Sequence, residues 1–210
     1  MKPRQDIIAR AKNIFFPHNF YYFDIFKRLC RINIKRGQKI FHLGAGPDTF
    51  GINNLAGASY LVSFDIDFGQ LSKNSNRHRI VADADSLPFK SGVFDLIVSD
   101  SLFEHLKNPS ASLNEYHRVS GPLSRVILIT PNKFFYISLF NLTSPAFIKK
   151  IVARLARLKR KVFPAYYRFN TKKKIESISG KSGYTVEVLH GYIGWSSYFG
   201  FFPPVWIFLL

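Results

Sequence analysis

Apolar residues along this chain gather into short runs, each closed by glycine, proline, asparagine or aspartate. Lys39-Ile40-Phe41-His42-Leu43 is the first, and it stops at Gly44-Ala45-Gly46-Pro47-Asp48. Similar runs at 60–64, 79–82, 94–99 and 124–130 are too short for helices and rich in the residues that fill strands. Between the fourth and fifth runs the spacing changes to that of a helix, from Asn108 to Val119, with Leu113, Tyr116 and His117 on or near its inner face. Gly121-Pro122 reads as the turn that feeds the fifth run. Strands separated by helical spacing predict a parallel, doubly wound, Rossmann-like α/β sheet. The length of 210 residues suits one domain.

The flanks are less regular. Residues 1–36 predict two helices, Gln5 to Phe16 and His18 to Ile32, divided by Pro17. Phe23, Phe26 and Cys30 recur at helical spacing, which suits packing on the sheet and is compatible with a flap over a ligand. Near the other end, Thr171 is placed to cap a helix running to Ser179, ended by Gly180 or Gly183. Tyr184 to Leu189 alternates as a strand. The last residues, Trp195 to Leu210, are apolar and aromatic but interrupted by Pro203-Pro204. That run is shorter than the ~20 apolar residues of a transmembrane helix. Three readings remain open for it: docked on the sheet, dipping into a bilayer, or the cut end of a longer chain.

The glycine turn after the first strand is the natural ligand site, because ligands of such sheets bind beyond the carboxyl ends of the strands. A dinucleotide is disfavoured: Thr49 stands where its fingerprint needs a third glycine, and Pro47 removes an amide that a pyrophosphate would use. Asp65, in Phe64-Asp65-Ile66-Asp67, ends the second strand about 20 residues after the glycines, where a carboxylate can bind a ribose diol. Then follow Ala82-Asp83-Ala84-Asp85-Ser86-Leu87-Pro88-Phe89, Phe94-Asp95-Leu96-Ile97-Val98-Ser99-Asp100 and Leu102-Phe103-Glu104-His105-Leu106. Over residues 38–132 this ordered series resembles the class I S-adenosylmethionine-dependent methyltransferases of the type 11, ubiquinone/menaquinone methyltransferase-like group.

The resemblance implies S-adenosyl-L-methionine as cofactor. Gly44, Ala45 and Gly46 would pass beneath its methionine part, and Asp65 with Ile66 would meet the ribose side. Asp83 and Ala84 would meet the adenine edge, and Ser99 would close the pocket. The chain departs from the family at His42, where an acidic residue is usual, and at Asp48, where a third glycine is usual. Asp48 could then supply the carboxylate that His42 lacks for the cofactor's amino group. Candidates for a base that takes the acceptor's proton are His105, Glu104 and Asp100, just after the fourth strand. Asp85 and Asp95 read as caps of turns.

Charge adds a second theme. The formal net charge is +17, and between Glu115 and Glu176 there is no Asp or Glu but 14 of the 30 Lys and Arg. Eight of the 13 carboxylates instead lie between Asp48 and Glu104, around the expected pocket for a cationic cofactor. Within the basic stretch, Ile148 to Phe163 has an apolar stripe opposed by Lys150, Arg154, Arg157 and Lys161. Such a helix can form a lid, lie on an anionic membrane surface, or contact RNA phosphates. The single cysteine, Cys30, excludes an internal disulfide framework and a cysteine zinc cluster, and no metal site is expected. The first residues carry no secretory signal, which gives a cytoplasmic expectation, with peripheral membrane attachment through the basic helix and the apolar tail.

The expected layout is one domain. It comprises a helical flap (1–36), a cofactor-binding core (37–132), a basic helical lid inserted after the fifth strand (133–170) and a C-terminal helix, strand and tail (171–210). The expected function is methyl transfer to a small-molecule or lipid-linked acceptor. The alternatives are an RNA methyltransferase using the basic segment 133–174, disfavoured because no RNA-binding module is visible, or a non-catalytic protein that keeps the cofactor fold.

Overall fold

A computed structural model describes residues 22–48, 51–57, 60–134, 136–145, 147–148, 163–192 and 205–209. The described chain runs α1 (Tyr22–Asn33), β1 (Lys39–Leu43), α2 (Ile52–Leu55), β2 (Tyr60–Asp65), α3 (Phe68–Leu71), β3 (His78–Val81) and β4 (Phe94–Asp100). A 3₁₀ turn (Phe103–His105) leads into α4 (Pro109–Val119), then come β5 (Ser120–Pro131), α5 (Tyr136–Thr143), α6 (Lys172–Lys181), β6 (Val188–Tyr192) and β7 (Val205–Leu209). All seven strands form one sheet in the order β3-β2-β1-β4-β5-β7-β6. β1 to β5 are mutually parallel, and β7 lies antiparallel to both β5 and β6.

The central strands are apolar on both faces because both are covered. One face carries Phe41, Leu43, Phe64, Ile97 and Leu128 under Leu113 and Tyr116 of α4 and Ile175 of α6. Phe41 stacks on Phe94 at 4.6 Å and meets Phe64 and Phe89 edge-on at 5.7 and 5.2 Å. Such ring pairs each contribute about 0.5–1.5 kcal/mol beyond burial. The other face carries Ile40, Leu96, Val98, Ile127 and Ile129 under Phe26 and Cys30 of α1. Cys30 is a fully buried free thiol whose ionisation burial opposes strongly. The end of α1 is tied: Asn33 donates to Leu29 O at 2.9 Å and accepts from Arg125 Nη1 at 2.8 Å.

Several expectations are met closely. β1 begins at Lys39 and ends at Leu43, and α4 starts where Asn108 accepts a hydrogen bond from Ala111 N. Thr171 caps α6 by accepting from Lys174 N.

Others are corrected. Asp95, read as a cap, caps no turn: it lies within β4 and accepts from Lys39 N at the start of the neighbouring β1 at 2.8 Å. Gly121-Pro122 is no turn: β5 already begins at Ser120, and a register shift against β4 between Phe94 and Leu96 absorbs the irregularity. His117 points outward and is exposed, packing edge-on against Tyr184 at the surface. α6 runs past Gly180 to Lys181 before Gly183 turns at φ +84°. The strand expected at 184–189 is displaced to Val188–Tyr192, since it is registered by β7 and not by its own alternation. Among the described residues, the connections after β1 and β2 each contain a single helical turn, and β3 reaches β4 through loops and bends.

The end of the chain is also settled in part. Val205–Leu209 is a strand paired on both sides, so the bilayer reading fails for those residues. The helix expected over 5–16 and most of the one expected over 148–163 lie outside the described residues. Of the expected insertion after β5, α5 is described and carries no basic residue. Among the described residues no helix is long and apolar enough to cross a membrane.

Candidate active site

The turn after β1 is built from backbone that only glycine adopts easily: Gly44 has φ +64° and Gly46 φ +42°. A Cβ on Gly44 would stand 3.0 Å from Leu102 Cβ, so the loop after β4 closes directly onto this turn. The turn is fastened from three sides. Ala45 N donates to Phe64 O at 2.8 Å, Gly46 N to Asp65 Oδ2 at 3.0 Å, and the buried Asn74 amide to Gly46 O at 2.8 Å. The other oxygen of Asp65 accepts from Asp67 N at 2.8 Å. Asp65 is thus oriented at the mouth of the crevice, half-buried, with Ile66 exposed beside it. Asn74 gives no signal in sequence, where it sits in a polar run.

Asp48 has a structural task that the sequence did not reveal. Its two oxygens accept from Ile52 N at 2.8 Å and Asn53 N at 3.0 Å, which starts α2. Any role toward a ligand's amino group is shared with this capping. Burial pushes its pKa upward against those hydrogen bonds.

Beneath the turn, His42 of β1 and Asp100 of β4 share the face covered by α1. His42 is fully buried, and neither ring nitrogen has a hydrogen-bond partner. Its Nε2 stands 4.0 Å from Asp100 Oδ2, a distance that would allow an ion pair. The electrostatics oppose one: burial lowers the imidazole pKa to about 3, and the same burial raises that of Asp100 well above the usual carboxyl range. Repulsion from Asp48 and Glu104 pushes Asp100 further the same way. Burial dominates at both partners and disfavours charge on each, and the imidazole is neutral.

Ser99 faces the opposite side of the sheet, fully buried, with Oγ unpartnered. Asp83 and Ala84 stand apart in the turn after β3, where Asp83 Oδ1 accepts from Asp85 N at 3.0 Å and Ala84 is buried. Asp85 is a structural group as expected, accepting a short hydrogen bond from Ser112 Oγ.

The loop after β4 carries the reactive groups. Glu104 is buried, accepts from Thr130 Oγ1 at 3.3 Å, and has its pKa raised by burial, with His105 pulling it partly back. Asn170 braces this arrangement by donating to Thr130 Oγ1 at 2.6 Å and to Pro131 O at 2.8 Å. His105 is partly exposed, and its Nδ1 lies 2.8 Å from Pro164 O. A carbonyl only accepts, so Nδ1 carries the proton and the neutral ring keeps Nε2 as an acceptor. That nitrogen lies 3.9 Å from Glu104 Oε1. The return segment 163–170 therefore holds this loop, because Tyr166 N and Tyr167 N also donate to Glu104 O at 2.7 and 3.2 Å. In sequence that segment is the end of the expected basic lid, 133–170. Among the described residues, the non-glycine residues with left-handed backbone, Asp48, Ser101 and Tyr167, all belong to these site loops.

Strand order and the glycine turn after β1 define a class I methyltransferase fold. The chain is similar to a solved S-adenosylmethionine-dependent methyltransferase from Aquifex aeolicus, with TM-score 0.62 and 14% identity over 96% of each chain. It is likewise similar to one from Mesorhizobium loti, with TM-score 0.63 and 16% identity, covering 87% of this chain and 95% of that one. Residues 41–128 match the family model described as a methyltransferase domain, type 11. The fold is thus that of the class I S-adenosylmethionine-dependent methyltransferases, and residues 41–128 resemble that group. It is also similar to demethylmenaquinone methyltransferase of Mycobacterium tuberculosis, at 27% identity over 131 residues, 60% of this chain and 54% of the relative. A second, from Mycolicibacterium vanbaalenii, is 28% identical over 110 residues, 50% of this chain and 48% of the relative. The chain spans about half the length of the curated relatives it matches.

The residues present fit the family's cofactor. Asp48, Asp100 and Glu104 are all raised in pKa, and at Asp100 the other two are named causes after burial. Carboxyls that repel one another are relieved by a cation, and S-adenosylmethionine carries positive sulfonium and ammonium groups. The glycine turn offers the close backbone approach, and Asp65 lies at the end of β2.

Proposed function

We propose that this protein transfers a methyl group from S-adenosyl-L-methionine to a small-molecule or lipid-linked acceptor. Gly44, Ala45, Gly46 and Asp65 would hold the cofactor, with Asp83, Ala84 and Ser99 completing its pocket. The bound cofactor supplies an activated methyl on its sulfonium. The carboxyls of Asp100 and Glu104 keep the strand ends receptive to positive charge.

The observation that carries the reading is His105, at the crevice mouth, with its Nδ1 proton committed to Pro164 O and Nε2 left to accept. An oxygen or acidic carbon acceptor must lose a proton as it is methylated, and Nε2 can take it. Glu104, 3.9 Å away, then faces an imidazolium, so its negative charge becomes favourable where burial had opposed it. Asn170 and Thr130 position Glu104 for this pairing. The similarity to demethylmenaquinone methyltransferases supports an acceptor of the small-molecule or lipid-linked class.

The test is calorimetric titration with S-adenosylhomocysteine, followed by transfer of a radiolabelled methyl into a cell extract. Saturable binding and label that partitions into organic solvent are expected for a lipid-linked acceptor, and label in the aqueous small-molecule fraction for a soluble one. Absence of binding and of transfer, in a folded sample, refutes the proposal.

A further inference from the structure

Beyond His105 lies a cavity of about 460 Å³ whose lining includes Lys107, Lys133, Arg168 and Lys174, together with Phe134 and Tyr166, and no carboxylate. Two further cavities each mix signs, one holding Arg118 with Glu187, the other Arg125 with Asp95 and Glu187. The charge here is therefore not a sample of the protein's general bias. Three of the four cations come from the stretch between Glu115 and Glu176 that contains no acidic residue. Among the described residues, none of the four has a carboxylate partner.

The cavity shares its wall with the reactive loop. Lys107 is two residues beyond His105, and its carbonyl accepts from Arg168 Nη1 at 2.6 Å. Tyr166, whose backbone holds Glu104 O, lies under the Arg168 guanidinium at 5.7 Å. Lys133 is anchored through its own N–H on Asn170 O at 2.8 Å, the residue that also braces Thr130. Four cations on a firm frame, with no carboxylate partner among the described residues, favour an anion placed between them. A multiply charged group matches them better than a single carboxylate, since each cation adds a charge-assisted hydrogen bond.

We propose that this cavity binds a phosphate or diphosphate group of the methyl acceptor, so that the acceptor's reacting atom is held against His105. The inference rests on the methyltransferase reading and specifies its substrate class: a phosphorylated small molecule or a phosphate-linked lipid. Phe134, 53% exposed at the cavity, offers a ring against which the remainder of the acceptor packs.

The experiment titrates the full chain with inorganic pyrophosphate at constant ionic strength, and separately with S-adenosylhomocysteine. The comparison is the double variant Lys107→Gln, Lys174→Gln, whose ammonium groups make no bond among the described residues. Saturable pyrophosphate binding is expected, weakened about tenfold per lost charge in the variant, with thermal midpoint and S-adenosylhomocysteine affinity unchanged. Displacement of pyrophosphate by glycerol phosphate alone identifies a soluble source. Displacement by phosphatidylcholine vesicles containing phosphatidic acid, and not by phosphatidylcholine alone, identifies a lipid source. No saturable binding, or binding equal in the variant, overturns the proposal. A single-stranded RNA oligomer that outcompetes pyrophosphate and weakens with the same substitutions also overturns it, in favour of nucleic acid. Loss of S-adenosylhomocysteine binding in the native chain would count against the methyltransferase reading instead, so the two failures are distinct.

Discussion

His42 makes a quantitative test of the electrostatics beneath the cofactor turn. It is a buried imidazole held neutral, with its pKa lowered from 6.5 to about 3 by desolvation. The unfolded chain binds a proton there near the ordinary value, and the native chain does not. The stability tied to this group is therefore intact above the unfolded pKa and is lost as pH falls below it. Between pH 7 and pH 5 the loss comes to about 2 kcal/mol, from about 1.5 pH units at 1.36 kcal/mol each. Asp100 works in the opposite sense: its raised pKa gives stability that is present at low pH and lost as pH rises through the folded value. The native slope is thus a partial cancellation, and His42→Leu isolates one component. At pH 7 the variant should be as stable as the native chain or more so, because two unpartnered buried nitrogens are replaced by methyl groups. On going to pH 5 the variant should gain about 2 kcal/mol relative to native. Urea unfolding at pH 7, 6 and 5 with an unchanged denaturant slope reads this directly. A variant that tracks the native stability at every pH would show that the imidazole takes up a proton as readily in the fold as in the unfolded chain, and the lowered pKa of His42 would be wrong.

Gly44→Val places a side chain on left-handed backbone and against Leu102 Cβ, so stability should fall by about 2–5 kcal/mol from strain and overpacking together; thermal unfolding checks this, and S-adenosylhomocysteine titration should show no binding. Asp65→Ala frees two backbone amides and removes the strand-end carboxylate, so cofactor affinity should drop at least about tenfold while the chain stays folded, as read by calorimetry. Asn170→Ala leaves Thr130 and Pro131 O without their donor, costing about 1–3 kcal/mol in urea unfolding. His105→Gln should keep cofactor binding and lose about 10²–10⁴-fold in methyl transfer to a proton-bearing acceptor.

The parallel half of the sheet was legible because its strands report themselves. Each of β1, β2 and β4 is apolar on both faces and is stopped by a residue with turn chemistry, and neither feature depends on remote contacts. The antiparallel end was not legible for the reverse reason. β7 is an apolar run behind Pro203-Pro204, and nothing local says that it inserts between β5 and β6. The same holds at the site. Glycines and Asp65 announce themselves by type and spacing, whereas Asn74, Thr130 and Asn170 are ordinary polar residues that matter only through the partners the fold gives them. His42 could be seen as a departure from the family, but its neutrality follows from α1 lying over it, which spacing alone does not show.

Two fields of opposite sign meet at the loop 101–107, and their order along the site constrains any acceptor. On the β1–β4 side stand Asp48, Asp100 and Glu104, carboxyls whose pKa values are raised first by burial and, at Asp100, further by repulsion from the other two, which a cation would relieve. On the far side stand Lys107, Lys133, Arg168 and Lys174 around a cavity with no carboxylate. His105 sits between them, fixed by Pro164 O, with the accepting nitrogen near Glu104. A cationic methyl donor and an anionic acceptor would each be drawn to its own side and repelled from the other, so the two fields set the direction of approach. The same arrangement bears on release. Once the methyl has moved, the donor loses its sulfonium charge and with it part of its attraction to the carboxyl side, while a phosphate on the product keeps its own. Product inhibition should therefore be relieved by salt more strongly for the methylated acceptor than for S-adenosylhomocysteine. Equal salt dependence of the two inhibition constants would show that the basic cavity does not hold the acceptor during turnover.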